Sequence, residues 1–168
     1  YTQAQSQYGT ITSFIEYAKQ RKKAKIVTTL SEIESNTVNI MRGDIVINSA
    51  SDIANTIQNA VIIAEGNISF NDFAGTTGDI FNSDSKSLAL IATGSIKIHS
   101  DFKEIRGIFI GSTVDFAWNI PSGGTVNSPL KINGNIISTQ GASEMKRSRP
   151  IIDRDKPSIF VVFSPKMY

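Results

Sequence analysis

Four short stretches of this chain follow one pattern: VIIAEGNISF at 61–70, LIATGSIKI at 90–98, GIFIGSTVDF at 107–116 and LKINGNIIS at 130–138. Each is an apolar run, a glycine beside small or polar residues, and a shorter alternating run. A unit of this size cannot bury its own apolar face, so repeating it implies that the copies stack. Aligned on Gly66, Gly94, Gly111 and Gly134, the units lie 28, 17 and 23 residues apart, near the length of one coil of a β-solenoid. These four glycines are expected to form the structural turns between strands. The insertions at 71–87 and 119–128 are rich in Gly, Asn, Ser and Asp, and read as loops on one edge of the stack.

The rest of the pattern is also β. IVTTL (26–30), TVNIM (37–41) and DIVIN (44–48) are short runs bounded by Ser, Asn or Gly. In the first repeated unit Val61 and Ile63, then Ile68 and Phe70, are expected to face one way across a bend at Glu65-Gly66. In the second, Leu88, Leu90, Gly94, Ile96 and Ile98 do the same. A β-sandwich is the alternative, since it too gives short strands with turn signals. The likeness among the units and the absence of tight hairpin turns between them favour the solenoid.

One helix is expected, over 10–25, where Ile11, Phe14, Ile15 and Ala18 follow helical spacing and Ser13 with Glu16 has the form of a capping box. Lys19, Arg21, Lys22 and Lys23 give it a basic patch towards its C-terminal end. The chain thus divides into a helical segment or cap at 1–30, a solenoid at 31–140, and a polar tail at 141–168 ending in an apolar strand. In that strand Ile159, Phe160, Val161, Val162 and Phe163 need a cover, either their own solenoid or a neighbour's sheet.

With 168 residues and 40% hydrophobic side chains, the chain can bury a core. It has no cysteine, which excludes disulfides, thiolate metal sites and a cysteine nucleophile. No apolar run approaches the length of a membrane span, and the first residues lack the pattern of a signal peptide. The net charge of +2 is unevenly spread: net +4 over residues 1–30, −5 over 31–140 and +3 over 141–168. Basic ends and an acidic middle suit salt-dependent, head-to-tail association of copies. KQRKKAK (19–25) and KRSR (146–149) read as solvated faces, so neither a nucleic-acid partner nor membrane contact is expected.

The order of VIIAEGNISF, LALIATGSIKIHSDFKEIRGIFIGSTVDF and LKINGNIIS, closed by FVVFSPKMY, resembles the β-solenoid domains of bacterial surface and pilin-like structural proteins, including those of candidate-phyla bacteria. The likeness covers residues 59–138 and, more weakly, the tail. It implies a location outside the cell or on its surface and a structural role in a pilus, filament or envelope. The long apolar N-terminal helix of a type IV pilin is missing from this sequence.

Catalytic chemistry has few candidates. His99, Asp101, Lys103, Glu104 and Arg106 crowd one stretch, but they read as a solvated turn with local ion pairs, and His99 as an exposed strand-end residue. Asn71, Asp72, Asp79, Asn82 and Asp84 offer oxygen ligands of the kind calcium uses, without the spacing of a calcium loop, and read as an Asx-rich turn. The SGG at 122–124 lacks the lysine of a phosphate loop. No cofactor, metal or catalytic residue is expected. The sequence points to a non-enzymatic, self-associating structural protein, possible partners being further copies, other surface proteins or glycans. The alternative is a carbohydrate-binding adhesin or tail-fibre module, with Trp118, Phe116 and Asp115 holding the ligand on a rung face.

Overall fold

The structure is a computed structural model that describes residues 10–20, 24–49, 52–53, 57–71, 87–118, 129–140, 147 and 159–162. The chain is a β-solenoid of about three turns with one helix. The helix α1 (Ile11–Gln20) precedes strands β1 (Ala24–Val27), β2 (Val38–Arg42), β3 (Ile45–Ile47), β4 (Ala60–Glu65), β5 (Ile68–Phe70), β6 (Leu88–Ala92), β7 (Ile96–His99), β8 (Glu104–Gly111), β9 (Val114–Trp118), β10 (Leu130–Ser138) and β11 (Ile159–Val162). Among the described residues, a long sheet of seven strands runs β1-β2-β4-β6-β8-β10-β11 and a short sheet of four runs β3-β5-β7-β9. Among the described strands, the pairings within each sheet are parallel, as stacked coils require and a hairpin-built sandwich does not.

From β2 to β9 the strands alternate, one in the long sheet and the next, after a corner, in the short sheet. Both inner faces meet in a lumen filled by Ile62, Ala64, Ile68, Phe70, Leu90, Ile96, Phe109 and Phe116, all buried. Phe70 meets Phe109 and Phe102 edge to face, with ring centroids 6.4 and 6.3 Å apart. The residues expected to share one face in the first unit divide. Ile68 and Phe70 point into the lumen with Ile62 and Ala64, whereas Val61 and Ile63 point out. Alternation runs unbroken through the corner at Glu65-Gly66-Asn67, from Ile62 and Ala64 to Ile68 and Phe70, so the change of phase expected at that bend does not occur.

The register also revises the glycine alignment. Successive strands of the long sheet are offset by 23 residues (Val38 to Val61), 28 (Val61 to Ala89), 19 (Ala89 to Ile108) and 27 (Glu104 to Lys131). Gly66 and Gly94 do stack, the Gly94 N–H donating to the Gly66 carbonyl at 2.9 Å. The next residue in that column is Ser112, which donates to the Gly94 carbonyl at 2.8 Å, so Gly111 stands one place before it. Gly134 pairs with Gly107 in mid-strand rather than with Gly111. The two glycine columns are distinct, although their flanking residues are alike.

The long sheet reaches beyond the 31–140 expected of the solenoid, to Ala24 at one side and Val162 at the other. Helix α1 is shorter than expected: Ala24 and Lys25 are in strand, paired with Val38 and Asn39. Its N-cap is Thr10, whose Oγ1 accepts the Ser13 N–H at 3.1 Å, in place of the expected pair of Ser13 and Glu16. Ile15 packs on Ile40, Ile63 and Ile91, which face outward from the long sheet. The helix therefore lies along the side of the solenoid.

Candidate functional site

Three surfaces gather the described residues with functional potential: the ends of the long sheet, its helix-covered outer face, and a polar corner where β7 meets β9.

At one end, β11 pairs with the first part of β10, Leu130 opposite Ile159 and Asn133 opposite Val162. The apolar C-terminal segment is thus a strand of its own chain's sheet. Ile159 packs against the core, while Val161 and Val162 are 51% and 45% exposed. Phe160 stands opposite Lys131, and Phe163 lies outside the described residues. At the other end β1 leaves Ile26 55% exposed. The ions near both ends are paired within the chain: Lys25 with Glu34 at 2.7 Å, and Lys131 with Glu104 at 3.2 Å. Glu104 also accepts from the Asn133 side-chain amide and lies 3.8 Å from Arg106.

On the outer face, Ile26, Ile40, Ile63, Ile91, Ile110 and Ile137 stand in register, one from each of six successive strands. Helix α1 covers the middle of this ladder. Lys19 fastens the helix with contacts to Glu65 at 2.6 Å and Glu16 at 3.1 Å, which raise its pKa. The other expected members of the basic patch, Arg21, Lys22 and Lys23, lie outside the described residues.

At the corner of the short sheet, His99 is buried, contrary to the exposed position expected of it. Its ring stands edge-on to Trp118, centroids 6.4 Å apart, and its Nδ1 accepts the Asp101 N–H at 3.3 Å. Asp101 itself is exposed. Above them sits Arg147, only 4% exposed, whose Nε donates to the Phe116 carbonyl at 2.7 Å and Nη2 to the His99 carbonyl at 3.2 Å. Burial pushes its pKa down to about 10, with nearby Asp101 opposing the shift, so it remains a cation at ordinary pH. Nothing in the run KRSR marked this arginine as buried. Sequence gives no signal for a long-range contact to backbone carbonyls.

The remaining candidates are dispersed. Phe116 is wholly buried in the lumen and cannot meet a ligand, and the Asp115 carboxylate accepts the Ala117 N–H at 2.9 Å. Lys97 approaches the face of half-buried Trp118, 5.9 Å from its centroid. Asn71 donates to Asn48 at 2.6 Å, as a ladder between coils; Asp72, Asp79, Asn82, Asp84 and the SGG at 122–124 lie outside the described residues. Among the described residues, no three His, Asp or Glu side chains are grouped to hold a metal.

Gly66 and Gly94 occupy places where a side chain has no room. A Cβ on Gly66 would strike Asp44 Oδ1 and the Gly43 backbone, and one on Gly94 would strike Asn67 Oδ1. Those same polar atoms stitch the corners together: Asp44 Oδ1 accepts the Asn67 N–H at 2.7 Å, Asn67 Oδ1 accepts the Ser95 N–H at 2.9 Å, and Ser95 and Thr113 share a hydroxyl hydrogen bond of 2.8 Å.

No family model matches this chain, and no curated protein or solved structure is significantly similar to it.

Proposed function

We propose that this chain is a non-enzymatic structural protein that associates with further copies of itself through the ends of its long sheet, as a subunit of a filament or surface assembly outside the cell. The observation that carries this reading is the pair of terminal strands. Among the described residues, β1 and β11 each pair with a strand on one side only, and they present Ile26, Val161 and Val162 to solvent. Edge strands usually avoid such apolar exposure by charge, proline or cover, because an open edge is a template for another strand. Since the sheet is parallel throughout, a copy translated along the stack offers its β1 in the direction that β11 already runs. The bacterial surface solenoids that the sequence resembles support the extracellular and filament parts of the proposal.

The glycan-binding alternative is weaker, for Phe116 is in the core and Lys97 stands over Trp118. Sedimentation velocity over a concentration series, with electron microscopy of the same samples, tests the proposal. Growing oligomers that Val161→Lys suppresses are the expected result. A wild-type chain that stays monomeric at every concentration overturns it.

A further inference from the structure

Of the asparagines in this chain, only Asn133 is followed by glycine. Packing dictates that glycine: Gly134 holds φ 147°, and a Cβ there would strike the Gly107 carbonyl of the neighbouring coil. Asn133 is half-buried in β10, between Arg106 of β8 and Val162 of β11. Its side-chain amide donates to Glu104 Oε1, an oxygen that also takes Lys131 Nζ at 3.2 Å. The Lys131 backbone N–H donates to the Lys103 carbonyl beside β8 at 2.8 Å. Donors alternate sides along a parallel strand, so Gly134, an odd number of places further on, turns its N–H towards β11 instead.

We propose that Asn133 is a self-modification site, at which slow deamidation to isoaspartate breaks the long sheet between β8 and β11. In the reaction the Gly134 nitrogen gives its proton to hydroxide and attacks Asn133 Cγ. The new C–N bond closes a succinimide ring, the Cγ–Nδ2 bond breaks, and the amide nitrogen takes a proton from water and leaves as ammonia. Water then opens the ring at either carbonyl, to aspartate or to isoaspartate. A following glycine favours the attack because no side chain crowds the nitrogen. Pairing with β11 restrains that nitrogen, but β11 is four residues long, with Val161 and Val162 51% and 45% exposed, and such a strand opens ahead of the core.

The two products differ in effect. Aspartate leaves the backbone unchanged and sets a carboxylate opposite Arg106, where Lys131 and Arg106 share the one carboxylate of Glu104. Isoaspartate routes the main chain through the side-chain carbons and lengthens it in mid-strand, where the close approach of Gly134 to Gly107 leaves no slack. The consequence for assembly rests on the end-to-end association argued above, because β10 holds the strand offered to the next copy.

The full chain is aged at mildly alkaline pH and mapped by mass spectrometry, with isoaspartate detected by enzymatic methylation. The amide-to-acid mass gain is expected first at the peptide holding Asn133, with a lower thermal midpoint in the isoaspartate-bearing fraction. Freshly purified Asn133→Asp is expected to melt near wild type, and Asn133→Gln, whose longer amide cyclises far more slowly, to keep its midpoint on ageing. An Asn133 still intact after other asparagines have deamidated overturns the proposal. So does an isoaspartate fraction with the wild-type midpoint, or a fresh Asn133→Asp variant as damaged as that fraction. These readouts belong to the single chain, so failure of association is read separately, from sedimentation of unaged wild type.

Discussion

A methyl group on Gly134 would collide with the backbone of Gly107 in the next coil, and both residues hold positive φ, 147° and 138°. Left-handed backbone of this kind is strained for any residue with a Cβ, so Gly134→Ala is expected to cost about 1–3 kcal/mol from conformation alone, and more from the overlap. A fall in the thermal midpoint, measured by circular dichroism, checks this. Asp44 makes a pH-dependent contribution at the same scale. Its carboxylate accepts the Asn67 N–H and side-chain amide, which hold its pKa below the ordinary 3.8. A depressed carboxylate stabilises the fold above the unfolded-state value, and that contribution is lost as pH falls through the folded-state value. Asp44→Asn keeps an acceptor at Oδ1 and cannot titrate. Its unfolding midpoint is therefore expected to fall less steeply than that of wild type between pH 5 and about pH 2.

At the scale of elements, the outer face of the long sheet explains the helix. Strands β2 and β4 carry apolar residues on both faces, as strands covered on both sides do. The ten residues of α1 extend about 15 Å, while a ladder of six strands spans about 24 Å. The helix is too short to cover it, and the terminal members Ile26 and Ile137 stay 55% and 48% exposed. Loss of a buried isoleucine side chain costs about 2–5 kcal/mol, but its consequence depends on which cluster loses it. Ile62→Ala, in the lumen, is expected to lower the unfolding midpoint of the whole solenoid. Ile15→Ala loosens α1 first, seen as helical ellipticity lost ahead of the β signal on heating. A single coincident transition in Ile15→Ala would show that helix and solenoid unfold as one.

At the scale of the whole molecule, seven of the described strands lie in one sheet and four in the other. The described edges of the long sheet carry exposed apolar side chains, Ile26 on one and Val161 and Val162 on the other. The proposed association is thus chiefly apolar. Lys19, Lys25 and Lys131, cations that the charge pattern offers for steering between copies, are paired with Glu65, Glu34 and Glu104 of their own chain. Oligomers are accordingly expected to persist as sodium chloride is raised from 0.05 to 0.5 M, where attraction between exposed charges is screened. Dissociation over that range, followed by sedimentation, would show that ion pairs hold the copies together.

Much of this architecture was legible in the sequence because it is written in local periodicity. Repeated apolar runs with a glycine at the bend specify strands and corners, and their likeness specifies stacking, since one coil alone buries too little. The amphipathic spacing of Ile11, Phe14, Ile15 and Ala18 likewise specified a helix with a face to cover. What the helix covers was decided by tertiary structure, as was the register that pairs Gly134 with Gly107 and aligns six isoleucines. Insertions of unequal length between coils hide that register from any fixed period. The place of Arg147 was invisible for a further reason: its partners are carbonyl oxygens 31 and 48 residues away, and every residue type carries one. Side-chain identity determined which segments form strands, and only the folded backbone decided which of its acceptors an arginine would find.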